Sequence, residues 1–130
     1  MNARILVVED EPIVQLDLQH RLERMGHTVI GTATTGEEAV AKAIDLKPDL
    51  VLMDVSLEGS IDGIEAARRI HAEQDTPVVY VTAYAATFDE ATPRELGGSF
   101  LSKPYRTTEL KSAIARILES SASVGASARE

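Results

Sequence analysis

Five short apolar runs, separated by stretches with helical periodicity, constrain the fold of this chain more than any other feature. The runs are too short to be helices and most are rich in valine and isoleucine, so we expect them to be strands. Their apolar residues are nearly continuous, which indicates strands that are covered on both faces. The runs are ILVV (5–8), TVIGT (28–32), LVLM (50–53), VVYVT (78–82) and SFLS (99–102).

Helical patterns lie between and after these runs. Pro12 opens the first pattern and Gly26 closes it, because proline suits the first turn of a helix and glycine the residue after its last turn. Thr35 and Glu38 have the spacing of a capping pair at the start of the second pattern. The remaining two patterns cover residues 64–70 and residues 107–118, the latter with Thr107 or Thr108 as its N-cap.

Two segments lack such a pattern. The stretch 86–98 has Pro93 in its middle and few apolar residues, so we expect one or two turns beginning near Pro93, or a mobile segment. The stretch 120–130 is small, polar and aperiodic. We therefore expect one domain at residues 1–119, followed by a flexible C-terminal tail or linker stub at 120–130.

Strands that alternate with helices along the whole chain predict an α/β fold. The expected form is a doubly wound, five-stranded parallel sheet with right-handed crossovers and helices on both faces. In such sheets ligands bind at the carboxyl ends of the strands, where the strand order reverses. The polar residues that directly follow the apolar runs are therefore the candidates for a functional site.

Composition and charge exclude several classes of function. The chain has 130 residues and a formal net charge of −8, which argues against direct binding of nucleic acid or of an anionic membrane. The first apolar run is too short for a signal peptide, and no run approaches the length of a membrane span. Cysteine is absent, which suits a reducing compartment. We expect a soluble cytoplasmic protein.

Charged residues follow three of the predicted strands. Glu9 and Asp10 follow the first, Asp54 the third and Lys103 the fifth, while Thr82 ends the fourth. Crowded carboxylates repel one another unless a cation joins them. Mg²⁺ suits an incomplete set of oxygen ligands that also admits water and a phosphoryl oxygen, and a lysine ammonium can pair with a second phosphoryl oxygen.

The sequence lacks the motifs of other phosphate-handling or hydrolytic sites. Neither a GxxxxGK[ST] nor a GxGxxG loop occurs, and no serine is set in GxSxG. The histidines, His20, His27 and His71, are scattered, and none follows a predicted strand. A nucleophilic carboxylate that becomes an acyl phosphate remains as the chemistry that the strand ends can support.

These residues lie in motifs that resemble the receiver domain of two-component response regulators. The resemblance spans residues 4 to 118 and implies a (βα)5 flavodoxin-like fold with strand order 2-1-3-4-5. The matching motifs are ILVVEDEP (5–12), DLVLMDVSL (49–57), IDGIEAA (61–67), VVYVTAY (78–84) and GGSFLSKPY (97–105). The loop VSLEGSIDG after the third strand is one residue longer than the form common in the family and lacks its proline.

The resemblance implies an acidic metal site around a phosphoacceptor. Asp54 would be the phosphoacceptor and would also contact the metal, which would be Mg²⁺ or Mn²⁺. Asp10 would coordinate the ion, and Glu9 would do so directly or through water. The backbone carbonyl of Ser56 would supply a further ligand.

The resemblance also implies a phosphoryl-binding and switching set. Thr82 and Ala83 would contact the phosphoryl group, and Lys103 would pair with that group or with Asp54. The bond between Lys103 and Pro104 would be cis, and Phe100 would be the switch aromatic. Ser56 and Tyr84, each two residues beyond a site residue, would control the access of water.

Each residue also has a plainer structural interpretation. The acidic residues 9–11 would favour a helix N-terminus, and Asp54 could cap a turn. Thr82 could be an ordinary strand residue, Lys103 a solvated lysine and Phe100 a core aromatic. The combination of all these residues at strand ends favours the functional interpretation.

The resemblance implies a signalling domain that catalyses only its own phosphorylation and dephosphorylation. Its partners would be a histidine kinase or phosphotransfer protein, and a downstream target protein or missing output domain. It would act as a monomer or as a phosphorylation-dependent homodimer. An interaction domain that works without phosphorylation is the alternative. A Mg²⁺-dependent aspartyl phosphohydrolase is disfavoured, because Ser56 replaces the second aspartate of its DxDx[TV] motif.

Overall fold

A computed structural model describes residues 2–83 and 98–129 of the chain. The segment for which we expected turns near Pro93 falls outside the described residues, except for Gly98 at its end. The strands are β1 (Arg4–Val8), β2 (Thr28–Ala33), β3 (Leu50–Asp54), β4 (Val78–Thr82) and β5 (Gly98–Ser102). The described helices are α1 (Pro12–Arg24), α2 (Gly36–Leu46), α3 (Gly63–Glu73) and α4 (Thr107–Arg129).

The five strands form one parallel sheet in the order β2-β1-β3-β4-β5, which confirms the predicted fold. Neighbouring strands end almost level with one another. Val8 lies opposite Met53, and Thr82 lies opposite Ser102. The residues that follow β1, β3 and β5 therefore emerge at one edge of the sheet, together with the end of β4.

Helices cover both faces of the sheet and bury two apolar clusters. On one face α2 and α3 pack closely through small side chains, because Ala39, Ala43, Ala66 and Ala67 are all fully buried. On the other face α1 and α4 contribute larger buried residues, namely Leu18, Leu22, Leu110 and Ile114. The strands are thus buried on both faces, as their continuous apolar sequences predict.

Local chemistry accounts for the ends of the first two helices. The side chain of Thr35 accepts a hydrogen bond from the backbone N–H of Glu38 at 3.1 Å, which confirms the predicted N-cap. Pro12 occupies the first turn of α1, and Gly26 follows that helix with φ +94°, a conformation that glycine adopts without strain. Lys47 ends α2 in the left-handed region, directly before Pro48.

The last helix differs from the prediction at both ends. It begins at Thr107, and the preceding N–H of Arg106 donates to the Glu109 carboxylate at 2.8 Å, so neither threonine is the residue before the helix. The helix also continues to Arg129 instead of ending near Leu118. The sequence beyond residue 118 contains no proline, and its three alanines favour helix, whereas its four serines and Gly125 do not. The domain boundary at residue 119 stays a prediction.

Among the described residues, no helix is both long enough and apolar enough to cross a bilayer.

His27 fastens the start of β1 to the start of β2. The backbone N–H of Ala3 donates to its Nδ1 at 3.0 Å, so the ring must keep an unprotonated nitrogen at that position. Partial burial and, secondarily, the chain's amino terminus lower the pKa of His27 below its usual value. Protonation therefore favours the unfolded chain, in which the imidazole titrates normally.

We predict that His27 makes stability fall as the pH falls below about 6.5, the usual histidine pKa. Above that pH neither state binds the proton and the contribution is fully present. In His27→Asn the amide oxygen can still accept from Ala3 but does not titrate. We would measure the unfolding free energies of wild type and His27→Asn with urea from pH 8 to pH 5. As the pH falls, the wild type should lose more stability than His27→Asn. A difference that is independent of pH would contradict the prediction, since all other titrating groups are common to both proteins.

Candidate functional site

Three carboxylates meet at the carboxyl edge of the sheet. Glu9 and Asp10 follow β1, and Asp54 is the last residue of β3. One carboxylate oxygen from each of the three lies within 4.8 Å of the others. Glu9 is 2% exposed and Asp54 is 5% exposed, whereas Asp10 is half-buried. Hard oxygen ligands at this spacing, with one residue open to solvent, fit a divalent cation such as Mg²⁺ that retains several waters.

Burial and crowding both act on Glu9. Burial raises the pKa of Glu9 to about 7, and the neighbouring charge of Asp54 raises it as well. The backbone N–H of Glu11, which donates to Glu9 Oε2 at 3.1 Å, and the ammonium of Lys103 act in the opposite direction without cancelling the effect. Burial is therefore the main reason that Glu9 holds its proton more strongly than a free glutamate, and the charge of Asp54 adds to the effect.

Lys103 is the cation that the chain itself supplies to the cluster. Its Nζ lies 3.2 Å from Asp54 Oδ2 and 3.5 Å from Glu9 Oε1. Burial alone would lower the pKa of Lys103, but the two carboxylates outweigh that effect and hold it above its usual value. The backbone N–H of Lys103 donates to the Thr82 carbonyl at 2.8 Å, and the Lys103–Pro104 peptide bond is cis.

The residues after Asp54 are fixed against it. The N–H of Ser56 donates to Asp54 Oδ1 at 3.0 Å, and the N–H of Val55 donates to the Val81 carbonyl at 3.0 Å. Gly63, the first residue of α3, approaches the Asp54 carbonyl so closely that a Cβ at this position would collide with it. Gly63 belongs to the motif IDGIEAA, but the sequence does not predict this contact, because the contact depends on how the loop folds back.

The predicted switch residues lie on β4 and β5 or directly after β4. Thr82 is 2% exposed at the end of β4, and Ala83 follows it on the surface. Phe100 is half-buried and stacks on Tyr80 with ring centroids 5.0 Å apart and an interplanar angle of 24°. Tyr84 lies outside the described residues, so its predicted shielding role stays a prediction.

The three histidines lie away from this edge, as the sequence predicts. His27 accepts from Ala3 at the opposite end of β1, and His71 Nε2 lies 2.7 Å from the Thr76 carbonyl oxygen after α3. His20 is exposed on α1. Among the described residues, the cluster of Glu9, Asp10 and Asp54 is the one group of three metal-ligating side chains that meets.

This fold, with an acid cluster and a lysine at the carboxyl edge, is matched by a family model. The model for the response regulator receiver domain matches residues 5–115. The chain therefore belongs to the response regulator receiver domain family, as the sequence motifs predicted.

Particular relatives support the same assignment. The chain is 40% identical over 123 residues to the alkaline phosphatase synthesis transcriptional regulatory protein PhoP of Bacillus subtilis, covering 93% of this chain and 50% of the relative. It is 35% identical over 119 residues to the phyllosphere-induced regulator PhyR of Methylorubrum extorquens, covering 91% of this chain and 44% of the relative. The chain thus spans about half the length of these curated relatives.

Solved structures agree with the sequence relatives. The crystal structure of the anti-anti-sigma factor PhyR from Bartonella quintana superposes with a TM-score of 0.84 at 28% identity, covering 98% of this chain and 52% of that one. The fold of this chain is therefore the fold of a receiver domain.

We predict opposite effects of Asp10→Asn with and without Mg²⁺. Without metal the variant should be more stable than wild type, by on the order of 1 kcal/mol, because one of three repelling charges is gone. At a Mg²⁺ concentration about a hundredfold above its dissociation constant, the unfolding free energy of wild type should rise by about 2.7 kcal/mol. The unfolding free energy of the variant should rise much less. Urea unfolding with a chelator and with Mg²⁺ measures both effects.

Asp45→Asn is the matched control, because Asp45 is an exposed aspartate on α2. It should change neither the metal-free stability nor the gain from Mg²⁺ by more than about 0.5 kcal/mol. If Asp10→Asn behaves like this control, Asp10 does not share the cluster's charge or bind the ion.

Proposed function

We propose that this receiver domain accepts a phosphoryl group on Asp54 from a histidine kinase or a phosphotransfer protein. The observation that supports the proposal is that three carboxylates and one lysine lie together at one edge of the sheet. Lys103 Nζ lies 3.2 Å from Asp54 Oδ2, and carboxylate oxygens of Glu9, Asp10 and Asp54 lie within 4.8 Å of one another. A nucleophile, a cation site and an anion-binding ammonium are thus in reach of one phosphoryl group.

In the proposed transfer, a carboxylate oxygen of Asp54 attacks the phosphorus of a phosphohistidine. A P–O bond forms while the P–N bond breaks, and the electron pair of that bond returns to the donor's imidazole. The ammonium of Lys103 neutralises charge on the transferred oxygens, and the Ser56 N–H helps to orient the nucleophile. Held by Glu9, Asp10, Asp54 and the Ser56 carbonyl, Mg²⁺ or Mn²⁺ would supply further charge neutralisation.

The product, an aspartyl phosphate, would bias a conformational equilibrium. Thr82 and the Ala83 backbone would bind the phosphoryl oxygens, and Phe100 would repack as Thr82 moves. Turning a switch from mostly off to mostly on takes roughly 5.5 kcal/mol of differential interaction. Charge-assisted hydrogen bonds and the burial of an aromatic ring are contributions of that order. Because Phe100 has no hydroxyl, its two states would differ in packing.

We propose that the domain works in the cytoplasm and regulates either a separate target protein or an output domain. The names of the relatives differ in the kind of output that they indicate. PhoP is called a transcriptional regulatory protein, whereas PhyR is called an anti-anti-sigma factor. The similarity to PhyR is also the observation that favours the second candidate, a domain that contacts a protein partner without phosphorylation. A homodimer that forms on phosphorylation fits the first candidate.

We predict that a small phosphoryl donor phosphorylates the wild type in the presence of Mg²⁺ and not with a chelator. Intact-mass measurement should show a gain of one phosphoryl group, because one nucleophilic carboxylate lies beside the cation site and Lys103. Asp54→Asn should show no gain. The control Asp45→Asn should match wild type, and size-exclusion elution before and after would reveal a phosphorylation-dependent dimer.

Failure of the wild type to gain mass under any Mg²⁺ condition would overturn the proposal and favour the phosphorylation-independent interaction domain. Turnover of a generic phosphate ester would instead indicate a phosphohydrolase.

We predict that Tyr84→Ala shortens the lifetime of the phosphorylated protein. A smaller residue two positions beyond Thr82 would open the approach of water to the acyl phosphate. The decay of the phosphorylated mass with time, compared with that of Tyr84→Phe, measures the effect. Equal decay rates in wild type, Tyr84→Ala and Tyr84→Phe would show that Tyr84 does not shield the site.

A further inference from the structure

The loop that follows the phosphoacceptor, residues 55–62, is fixed at both ends. At its start the N–H of Val55 donates to the Val81 carbonyl at 3.0 Å. At its end the N–H of Gly63 donates to the Val55 carbonyl at 2.9 Å, so the loop closes on itself. Ser56 lies just inside this closure and is exposed. Asp54 Oδ1 holds the Ser56 N–H at 3.0 Å, whereas the Ser56 carbonyl belongs to the next peptide group and follows the course of the loop.

The outer half of this loop rests on the first turn of α2. Glu58 forms an isolated parallel β-bridge with Thr35, the N-cap of that helix. Ser60 Oγ donates to Glu37 Oε2 at 2.6 Å, a short charge-assisted hydrogen bond. These contacts join the loop to α2 at two places separated by one residue.

Backbone proximity supports the same contact. Ile61 is 8% exposed, and a Cβ added at Gly36 would lie 2.5 Å from its Cγ1. Gly59 has φ +106°, and a Cβ there would lie 3.2 Å from Glu37 Oε1. The two glycines allow the loop and the helix to approach closely. The extra residue that the sequence analysis found in this loop thus lies in a segment that packs against α2.

We propose that Ser60 and Glu37 are positioning residues, which hold the loop against α2 and thereby fix the Ser56 backbone for the cation. We call the Ser60–Glu37 hydrogen bond the latch. The inference rests on the proposed function, since it concerns the cation site of the phosphoacceptor. Neither latch residue belongs to the acid cluster. The latch acts by restricting the loop, because a ligand that is already in place binds without a further ordering cost.

Ser60→Ala tests the latch without changing charge. With a single hydrogen bond removed, we expect the Mg²⁺ dissociation constant of the unphosphorylated protein to rise about fivefold, as measured by calorimetry. Amide hydrogen exchange of residues 56–61 in metal-free protein should become faster, because the loop opens more often. Ser60→Thr keeps the hydroxyl and should restore both properties.

Glu37→Gln and Glu37→Ala separate hydrogen bonding from charge. The amide oxygen of glutamine can still accept from Ser60, so Glu37→Gln should retain most of the Mg²⁺ affinity that Glu37→Ala loses. Glu23→Ala removes an exposed carboxylate from α1 and controls for net charge. The double variant Glu37→Ala with Ser60→Ala should bind Mg²⁺ no more weakly than the weaker-binding single variant, because the two substitutions remove the same hydrogen bond.

The latch is overturned if Ser60→Ala keeps the wild-type dissociation constant and exchange rates, or if the two single effects simply add. It is also overturned if wild type does not bind Mg²⁺. Wild type that binds Mg²⁺ but gains no phosphoryl group would refute the proposed function alone. The latch would then still be judged by calorimetry and hydrogen exchange, since neither measurement uses a phosphoryl donor.

Discussion

The site depends on the repulsion among three carboxylates that share one edge of a buried sheet. Glu9 and Asp54 are both almost fully buried, and burial of a charged group is costly unless it is paired. Lys103 contacts both, yet one ammonium cannot neutralise three carboxylates. Burial raises the pKa of Glu9, and the neighbouring charge of Asp54 raises it further. In the proposed function a divalent cation would complete this arrangement and would allow the same cluster to hold an anionic phosphoryl group.

The sheet makes this crowding unavoidable. Because every strand runs in the same direction and neighbouring strands end level, whatever follows the strands must meet at one edge. The two apolar clusters above and below the sheet stabilise the fold enough to tolerate a repulsive site. The cost of the site is local, whereas the stabilisation comes from the whole sheet. The apolar residues of the strands therefore stabilise the fold, whereas the residues at the carboxyl ends of the strands form the candidate site.

The sequence predicts those features that are local or that follow from the order of strands. The runs of valine and isoleucine, the Thr35 cap and the convergence of Asp10, Asp54 and Lys103 all follow from short patterns combined with a parallel sheet. Two contacts could not be predicted in this way, because each joins separate segments through a folded loop. They are the contact of Gly63 with the Asp54 carbonyl and the packing of Ile61 on Gly36. The extension of α4 was missed because the small and polar residues after Leu118 carry no apolar periodicity, and only three of them are alanines with high helix propensity.

The two flanks of Asp54 are held by different means, and this asymmetry bears on how a phosphoryl group would act. On one flank the backbone N–H of Lys103 donates to the Thr82 carbonyl and joins the ends of β4 and β5. Two residues further back on the same strands, Tyr80 and Phe100 lie opposite one another and stack. On the other flank the loop 55–62 rests on α2. The two flanks are also joined, because the Val55 N–H at the start of the loop donates to the Val81 carbonyl of β4. If Asp54 is phosphorylated as proposed, a displacement at the ends of β4 and β5 would lie two residues from the Tyr80–Phe100 stack, so we expect the packing of that stack to differ between the two states.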